Sequence, residues 1–244
     1  MSGCRLEARQ VSKSFGGVKA VDDVSLAAEA ASITGLVGPN GAGKTTLLNL
    51  LTGVYAADHG ELVIGGTAVP RSGWRPHRIA RLGVARTFQS ARVFPNLNVF
   101  DNVLVGAERR AGKPGVLAAE VTALLTALGL AGQAQVPAAA LPAGSQKAVE
   151  LARVLLTRPR VLLLDEPASG LSEAETARLA DMLVAVRGLG ITVVIVDHNL
   201  RLVMGICDQV VVMDAGRVIA AGDPAAVQAD PAVRAAYLGA ADEP

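Results

Sequence analysis

The sequence predicts an α/β fold, and three observations in its 244 residues support this class. A glycine-rich loop, Gly38–Thr46, lies between an apolar run at 32–37 and a helix-like run at 45–52. Two further continuous apolar runs, Val161–Leu164 and Ile191–Val196, are typical of strands buried on both faces. Helix-like segments with one apolar face lie between these runs. Strands that alternate with helices in this way predict a largely parallel sheet covered by helices.

Composition excludes several functional classes. Lys and Arg number 23 against 22 Asp and Glu, so the chain offers neither the basic field of a nucleic-acid-binding protein nor a polybasic membrane anchor. Hydrophobic residues make up 51%, yet no apolar run approaches the roughly 18 to 20 residues that cross a bilayer. We therefore expect membrane contact only through a partner. No apolar signal segment follows residues 1–5, which favours a cytoplasmic protein. Cys4 and Cys207 lack metal-ligand spacing and are expected to be reduced and structural.

The glycine-rich loop predicts a site for nucleotide phosphates. It fits the pattern G-x-x-x-x-G-K-[ST], with an expected strand before it and an expected helix after it that Gly53 can cap. Its residues are Gly38, Pro39, Asn40, Gly41, Ala42, Gly43, Lys44, Thr45 and Thr46. The glycines let backbone N–H groups point inward at phosphate oxygens, and the helix N-terminus adds partial positive charge. Lys44 would reach the β and γ phosphates, and the Thr45 hydroxyl would bind Mg²⁺.

The first ninety residues predict strands and two candidate ligand-binding side chains. Short strands are expected from Leu6 to Leu26, with a turn at 14–17 that carries Phe15. The Phe15 ring is placed equally well to stack on an adenine base or to be partly buried in a hairpin. A strand from Val84 is expected to end at Gln89. Gln89 there could meet Mg²⁺ or the attacking water, although most glutamines are merely solvated.

A helical subdomain is expected at about 90–155, inserted into a core formed by about 1–89 and 156–222. Helical spacing covers 98–105 and 116–128, and an irregular connector is expected at 131–143. The next helix begins near Gly144, which permits close approach of a phosphate, and Ser145 is a candidate N-cap. From the local sequence alone, a plain capped helix is the simpler interpretation.

Polar residues follow the two later buried strands. Asp165 and Glu166 come directly after Val161–Leu164, and leaving two carboxylates buried there is costly unless they bind a cation or do chemistry. Asp165 fits Mg²⁺, and Glu166 can polarise the water that attacks a γ-phosphate, whereas a solvated acidic turn is the alternative. His198 follows the strand Ile191–Val196 and is placed to bond a γ-phosphate. Considered by itself, a structural role for His198 is the better interpretation.

The remaining signals are structural. Ser172–Glu175 predicts a capping box at the start of a helix that Gly188 stops. A hairpin is expected around Asp214–Gly216, and two Asp-Pro pairs, at 223–224 and 230–231, predict helix starts within C-terminal helices at about 223–240.

The order of these motifs resembles that of ABC-type ATPase subunits, and the resemblance covers essentially the whole chain. Within that family, four segments resemble the ATP-binding subunit of branched-chain amino acid importers. These segments are Ala85–Gln89, Phe94–Val99, Asn102–Gly106 and Ala236–Gly239. The resemblance implies a P-loop NTPase (RecA-like) core with an N-terminal antiparallel β subdomain and an inserted α-helical subdomain.

The resemblance also implies roles for individual residues. Phe15 would stack on adenine, and Lys44 would contact the transferred phosphate. Thr45, Gln89 and Asp165 would bind Mg²⁺, and Gln89 would also lie in the loop that faces the membrane subunit. Glu166 and His198 would serve hydrolysis, while Gly144 and Ser145 would face the ATP of a second subunit. The implied partners are that second ATPase, two transmembrane permease subunits and, indirectly, an extracytoplasmic solute-binding protein, at the cytoplasmic face of the inner membrane.

The chain departs from the family pattern at three places. The usual Leu-Ser-Gly-Gly-Gln is Leu-Pro-Ala-Gly-Ser at 141–145, which removes a serine hydroxyl and one glycine. Ser172 and Asp197 stand where aspartate and glutamate are common. Because the phosphate loop, Asp165, Glu166 and His198 are intact, we expect an active ATPase when two subunits pair. A regulatory or catalytically weak subunit, and an importer ATPase for another solute such as urea or amides, are the alternatives. A single phosphate loop and no long coiled coil argue against ribosome-associated and DNA-repair ATPases.

Overall fold

The computed structural model describes residues 4–88, 92–108, 110 and 112–239, and in these ranges it confirms an α/β fold. The strands are β1 Leu6–Phe15, β2 Val18–Ala28, β3 Ile33–Val37, β4 His59–Ile64, β5 Thr67–Val69, β6 Val84–Arg86, β7 Val161–Asp165, β8 Thr192–Val196, β9 Gln209–Asp214 and β10 Arg217–Gly222. The helices are α1 Lys44–Leu51, α2 Pro76–Arg81, α3 Val99–Leu104, α4 Pro114–Ala127, α5 Ala143–Leu156, α6 Glu173–Gly188, α7 Leu200–Ile206, α8 Pro224–Ala229 and α9 Pro231–Gly239.

A six-stranded sheet in the order β10-β9-β3-β8-β7-β6 forms the centre of the molecule. Its strands pair in parallel except for β10, which is antiparallel to β9. In β7, Val161 and Leu163 pack on one face of the sheet, and Leu162 and Leu164 pack on the other. Because both faces of the sheet are covered at its centre, β7 and β8 coincide with the continuous apolar runs that the sequence predicted as buried strands. The carboxyl ends of β3, β7 and β8 therefore meet at one edge, which positions the candidate site.

A four-stranded antiparallel sheet in the order β2-β1-β4-β5 packs over one face of the central sheet. Its first two strands are 10 and 11 residues long, so the expectation of short strands here was wrong. Irregular pairing between Ala8 and Ser14 lets the strands bend and continue over the core. Trp74 is buried between this sheet and α1, and its indole N–H donates to the Leu50 carbonyl at 2.6 Å.

Helices α3, α4 and α5 share a separate apolar cluster that includes Val103, Leu125 and Val149. Asn102 is fully buried in it: its side-chain oxygen accepts from the Phe94 N–H at 2.7 Å, and its amide donates to the carbonyl of Leu97 at 3.1 Å. The asparagine thereby fixes the loop before α3, which explains why a polar residue occupies this interior position.

The structure corrects two local predictions. Strand β6 ends at Arg86, not at Gln89, although the Thr87 N–H still donates to Leu163 at 3.0 Å. Ser145 does not cap α5, because the helix begins at Ala143 with Pro142 as its N-cap and no side-chain cap bond. The capping box of Ser172 and Glu175 is confirmed. Among the described residues, every helix is too short or too polar to span a membrane.

Candidate functional site

The phosphate loop connects the carboxyl end of β3 to the first turn of α1. Three of its glycines have backbone angles in the left-handed region, with φ of 149° at Gly38, 81° at Gly41 and 96° at Gly43. A Cβ at Gly38 would collide with the Met213 carbonyl oxygen, and one at Gly43 would collide with the Ala20 carbonyl oxygen. The loop is therefore curled tightly against two neighbouring strands, and side chains are excluded from its inner turns.

Replacing Gly43 with Ala is expected to lower the free energy of unfolding by about 2 to 5 kcal/mol, because left-handed strain and the collision with Ala20 add together. Gly41→Ala is the matched control: its φ is also positive, but its Cβ would enter open space, so only about 1 kcal/mol of strain is expected. Urea denaturation of both variants without nucleotide measures the difference. Equal losses would contradict the steric account of Gly43.

Lys44 lies inside the curled loop. Its ammonium group donates to the carbonyls of Gly38 at 2.7 Å and Pro39 at 2.8 Å, and only 7% of the residue is exposed. Burial lowers the pKa of Lys44, while the nearby carboxylates of Glu166 and Asp165 act in the opposite direction. The positive charge of Lys44 therefore lies between the phosphate loop and the two carboxylates at the end of β7, Asp165 and Glu166.

Asp165 ends strand β7 as a buried carboxylate. The Arg86 guanidinium donates to its Oδ2 at 2.6 Å and also to the side-chain oxygen of Asn49 at 2.6 Å. Arg86 belongs to β6, Asn49 to α1 and Asp165 to β7. The two bonds of Arg86 therefore connect these three elements next to the phosphate loop. The guanidinium bonds to Oδ2 of Asp165, which leaves Oδ1 as the oxygen for a further cation.

Glu166 turns sharply out of strand β7. Its backbone has a left-handed φ of 48°, and its N–H donates to the Val196 carbonyl at 2.7 Å. This bend aims the carboxylate at His198, whose Nε2 lies 2.8 Å from Glu166 Oε1. The His198 side chain is 50% exposed and that of Glu166 19%, so the pair opens toward solvent at the sheet edge. Residues other than glycine rarely adopt this backbone conformation, and those that do are found more often at functional sites than elsewhere.

Asp197 holds the segment that follows Glu166. This buried carboxylate accepts from the Ala168 N–H and from the Asn199 N–H, both at 2.8 Å. It therefore joins the loop after β7 to the start of α7. The departure from the family pattern at this position is accommodated, because aspartate reaches both backbone donors.

Phe15 lies at the tip of the β1–β2 hairpin and is 42% exposed. Its ring makes an edge-on contact with Tyr55, with centroids 5.1 Å apart, and the Lys13 ammonium lies 5.5 Å from the ring centre. The ring is neither buried nor isolated. Tyr55, which follows α1 and is 37% exposed, extends the aromatic surface beside the phosphate loop helix.

The amino end of α5 packs against α6. A Cβ at Gly144 would collide with the Glu175 carboxylate, whose other oxygen accepts from the Ser172 N–H at 2.9 Å. Burial lowers the pKa of Lys147, one turn further along, and its ammonium binds carbonyls of residues 166–169. A side chain at position 144 would therefore have to displace the Glu175 carboxylate.

The structure brings four predicted residues, Lys44, Asp165, Glu166 and His198, to one edge of the central sheet. Gln89 lies outside the described residues. Sequence reasoning missed the partners of these residues, namely Arg86, Asn49, Tyr55 and Lys147. Arg86 lies in the segment Ala85–Gln89, which resembles the importer subunits, and this was the only feature of the sequence that indicated it. No local pattern indicated Asn49, Tyr55 or Lys147.

Comparisons with known proteins agree with this geometry. Residues 21–169 match the family model described as ABC transporter, and residues 217–243 match the one described as branched-chain amino acid ATP-binding cassette transporter. The high-affinity branched-chain amino acid transport ATP-binding protein BraF of Pseudomonas aeruginosa is 37% identical, over 99% of this chain and 100% of its own length. LivG of Salmonella typhimurium, of the same description, is 38% identical, over 93% of this chain and 94% of its own. A solved ATP-binding cassette of an ABC transporter in its ADP conformation superposes with a TM-score of 0.87 and 28% identity, over 98% of this chain and 100% of that one.

Proposed function

Because this chain belongs to the ABC transporter family, we propose that it is the ATP-hydrolysing subunit of an importer for branched-chain amino acids. The observation that carries the proposal is the joint position of the phosphate loop, the Asp165–Glu166 strand end and His198 at one edge of the central sheet. The match of residues 217–243 to the branched-chain amino acid transporter model supports the solute class.

The donor set fits Mg·ATP. Among the described residues, no cluster of three or more His, Cys, Asp or Glu side chains could hold a metal ion by itself. Mg²⁺ usually takes one or two carboxylates together with substrate phosphates, and Thr45, Asp165 and Gln89 would supply hard oxygen ligands beside the phosphate loop. When bound, Mg²⁺ neutralises charge on the β and γ phosphates. Lys44 adds a second positive charge from inside the loop, and Gly41–Gly43 present their N–H groups to the phosphates.

Hydrolysis is assigned to Glu166 and His198. The carboxylate of Glu166 would accept a proton from the attacking water as general base. Its hydrogen bond to His198 fixes the carboxylate orientation, and the exposed imidazole is free to turn toward the γ-phosphate when it arrives. The two residues are therefore expected to act as a unit.

Replacing Phe15 with Ala is expected to weaken ATP binding about 5- to 150-fold, because stacking of one base on an aromatic ring contributes about 1 to 3 kcal/mol. Binding of inorganic triphosphate, which has no base, should change less than about two-fold, since the phosphate loop is untouched. Calorimetric titration measures both. Val18→Ala is the control, because Val18 is 68% exposed on the same hairpin. Equal weakening for ATP and triphosphate would contradict the stacking role.

A second ATPase subunit would complete the site. The amino end of α5, with Gly144 and Ser145, would face the ATP held by the other subunit and contact its γ-phosphate through backbone N–H groups. The serine-to-proline change at 142 removes one hydroxyl contact but leaves this helix end intact. Closure of two subunits on ATP would then be coupled to the membrane subunits, and reopening would follow hydrolysis.

Two transmembrane permease subunits would dock near the loop that contains Gln89, at the cytoplasmic face of the inner membrane. Phe88 and Phe94 precede and follow Gln89 in the chain and are 39% and 45% exposed, so they would offer apolar surface to the permease. The Arg92 guanidinium lies 3.8 Å from the centre of the Phe88 ring. An extracytoplasmic solute-binding protein would deliver the amino acid to the permease, so it would contact this chain only indirectly.

Uptake by cells tests the function and its solute. Deletion of the gene should abolish high-affinity uptake of radiolabelled leucine, isoleucine and valine, and the wild-type gene, but not one encoding Glu166→Gln, should restore it. Urea uptake measured in the same strains decides between the two solute classes. Loss of urea uptake with normal leucine uptake would reassign the solute, and normal uptake of every solute in the deletion strain would contradict a transport role.

A further inference from the structure

Helix α5 carries three charged side chains at positions i, i+3 and i+6, which places them on one face. These are Lys147, Glu150 and Arg153, and we call them the charged row. Lys147 and Arg153 contact two other parts of the chain, and Glu150 lies between them on the helix. These parts are residues 166–169 after β7 and residues 92–94 after β6.

Lys147 holds the first loop. Its ammonium donates to the carbonyls of Ser169 at 2.5 Å, Pro167 at 2.9 Å and Glu166 at 3.5 Å. An ammonium group has three donors, and all three are directed at one four-residue turn. The same turn starts at Glu166, so Lys147 restrains the backbone from which the proposed general base projects.

Arg153 holds residues 92–94. It donates through Nη2 to the Arg92 carbonyl, and its guanidinium lies 5.1 Å from the centre of the Phe94 ring. The backbone N–H groups of Arg92 and Phe88 act to lower the pKa of the buried Glu150 carboxyl, against the effect of burial. Residues 92 and 94 are thereby attached to the same helix as residues 166–169.

The charges in the row alternate in sign, from Lys147 through Glu150 to Arg153, and the central carboxylate is buried. Glu150 is only 3% exposed and lies between two cations, with Arg153 at 3.9 Å and the Lys147 charge close enough to act on it. Burial raises the pKa of Glu150, and Arg153 opposes this effect. Buried charges persist only when partners satisfy them, and the two loops supply the remaining partners.

Loose packing beside the row gives its hydrogen bonds more weight. A cavity of about 560 Å³ lies beside α5 and is lined by Thr87, Lys147, Glu150 and Pro167 among others. Where side chains do not interlock, van der Waals contacts cannot fix one element against another. The specific bonds of the charged row therefore add to the apolar packing of Leu151 and Leu155 with Ala168 in holding α5 against the loop after β7.

We propose that the charged row links residues 166–169, which begin with the proposed general base, to residues 92–94, which follow the proposed permease-facing Gln89 in the chain, through helix α5. This inference rests on the proposed function for the meaning of the two loops, but the linkage itself is a property of the chain alone. Lys147, Glu150 and Arg153 are positioning residues: they act on catalysis and coupling through the loops that they hold.

Amide hydrogen exchange in the nucleotide-free chain tests the linkage without any activity. Arg153→Met removes the donor to the Arg92 carbonyl, so exchange at the Phe94 N–H, which is bonded to Asn102, should accelerate at least about five-fold, while Arg153→Lys, which keeps a cationic donor, should give a smaller change. Lys147→Met should accelerate exchange across 166–171, and Lys147→Arg should not. Glu108→Gln and Lys113→Met, at exposed positions, are the matched controls. Amides of β1 and β2 should keep their wild-type rates, which separates a local effect from a loss of overall stability. Unchanged exchange in Arg153→Met and Lys147→Met, or equal acceleration throughout the chain, would overturn the inference.

Steady-state turnover in the assembled transporter tests the consequence. Lys147→Met should lower kcat about 10-fold with the Kd for ATP unchanged, and Lys147→Arg should retain most of the activity. Combining Lys147→Met with Glu150→Ala should lower kcat no further than the more impaired single variant, because residues that act as one unit are not additive. Fully additive losses would overturn the inference. If the wild-type complex and Glu166→Gln hydrolyse ATP equally, the proposed function fails instead, and the exchange result still stands.

Discussion

Replacing Glu166 with Gln is expected to lower ATP turnover about 100- to 10,000-fold, because a general base contributes a factor of this size and glutamine cannot accept the proton. Glutamine keeps the size and a hydrogen-bonding oxygen, so ATP affinity should change less than about two-fold. Phosphate release measured under saturating ATP gives the first quantity, and calorimetric titration gives the second. The side chain makes its observed contact with His198 at 2.8 Å, and a glutamine oxygen can preserve it.

Glu173→Gln is the matched control for this prediction. Glu173 lies seven residues further along, almost fully exposed at the start of α6, and the same chemical change there should leave turnover unaffected. Undiminished turnover in Glu166→Gln would remove Glu166 from the role of general base. A weak ATP affinity in that variant would mean that the carboxylate contributes to binding and not to the chemical step.

Replacing Lys44 with Ala is expected to weaken ATP binding about 10- to 150-fold, since a hydrogen bond to a charged group contributes about 1.5 to 3 kcal/mol. Turnover should become undetectable, because the lysine would also contact the transferred phosphate. Calorimetric titration with ATP measures the affinity, and Lys113→Ala is the control on the exposed surface. Wild-type affinity in Lys44→Ala would contradict the assignment of the phosphate loop.

Loss of Lys44 also removes contacts that it makes in the nucleotide-free chain. In the described structure its ammonium is bonded to the Gly38 and Pro39 carbonyls, which places it where a phosphate oxygen would compete for the same donors. Its removal takes the ammonium donor from those carbonyls and one nearby positive charge from Asp165 and Glu166. Thermal unfolding of Lys44→Ala without nucleotide separates this effect from the loss of binding.

Much of the fold could be predicted because its signals are local. The phosphate loop, the capping box of Ser172 and Glu175, and the continuous apolar run of β7 each depend on a few neighbouring residues. The candidate residues at the strand ends could be predicted for a related reason: parallel strands bring their carboxyl ends to one edge, so a sequence pattern becomes a position in space.

The partners of those residues could not be predicted, because they come from distant parts of the chain. Arg86 and Asp165 are 79 residues apart and pair at 2.6 Å only after β6 and β7 align. The left-handed backbone of Glu166 has no sequence signal either, since glutamate rarely adopts it without tertiary contacts.

The amino end of α5 shows the limit of local reasoning most clearly. Ser145 has the residue type of an N-cap, yet the helix starts two residues earlier, and Pro142 occupies the cap position without a side-chain cap bond. Gly144 was read as a position that admits a phosphate, and the structure places the Glu175 carboxylate there. Only tertiary packing distinguishes these possibilities.

The central claim is that the phosphate loop is half of a composite site that a second ATPase subunit completes. Light scattering of the Glu166→Gln chain with Mg·ATP, alone and mixed with a related ATPase encoded beside it, tests this most directly. The account predicts that ATP converts monomers to a stable pair in at least one of the two samples, and that Lys44→Ala prevents it. Monomers in both samples, with ATP bound, would contradict the claim.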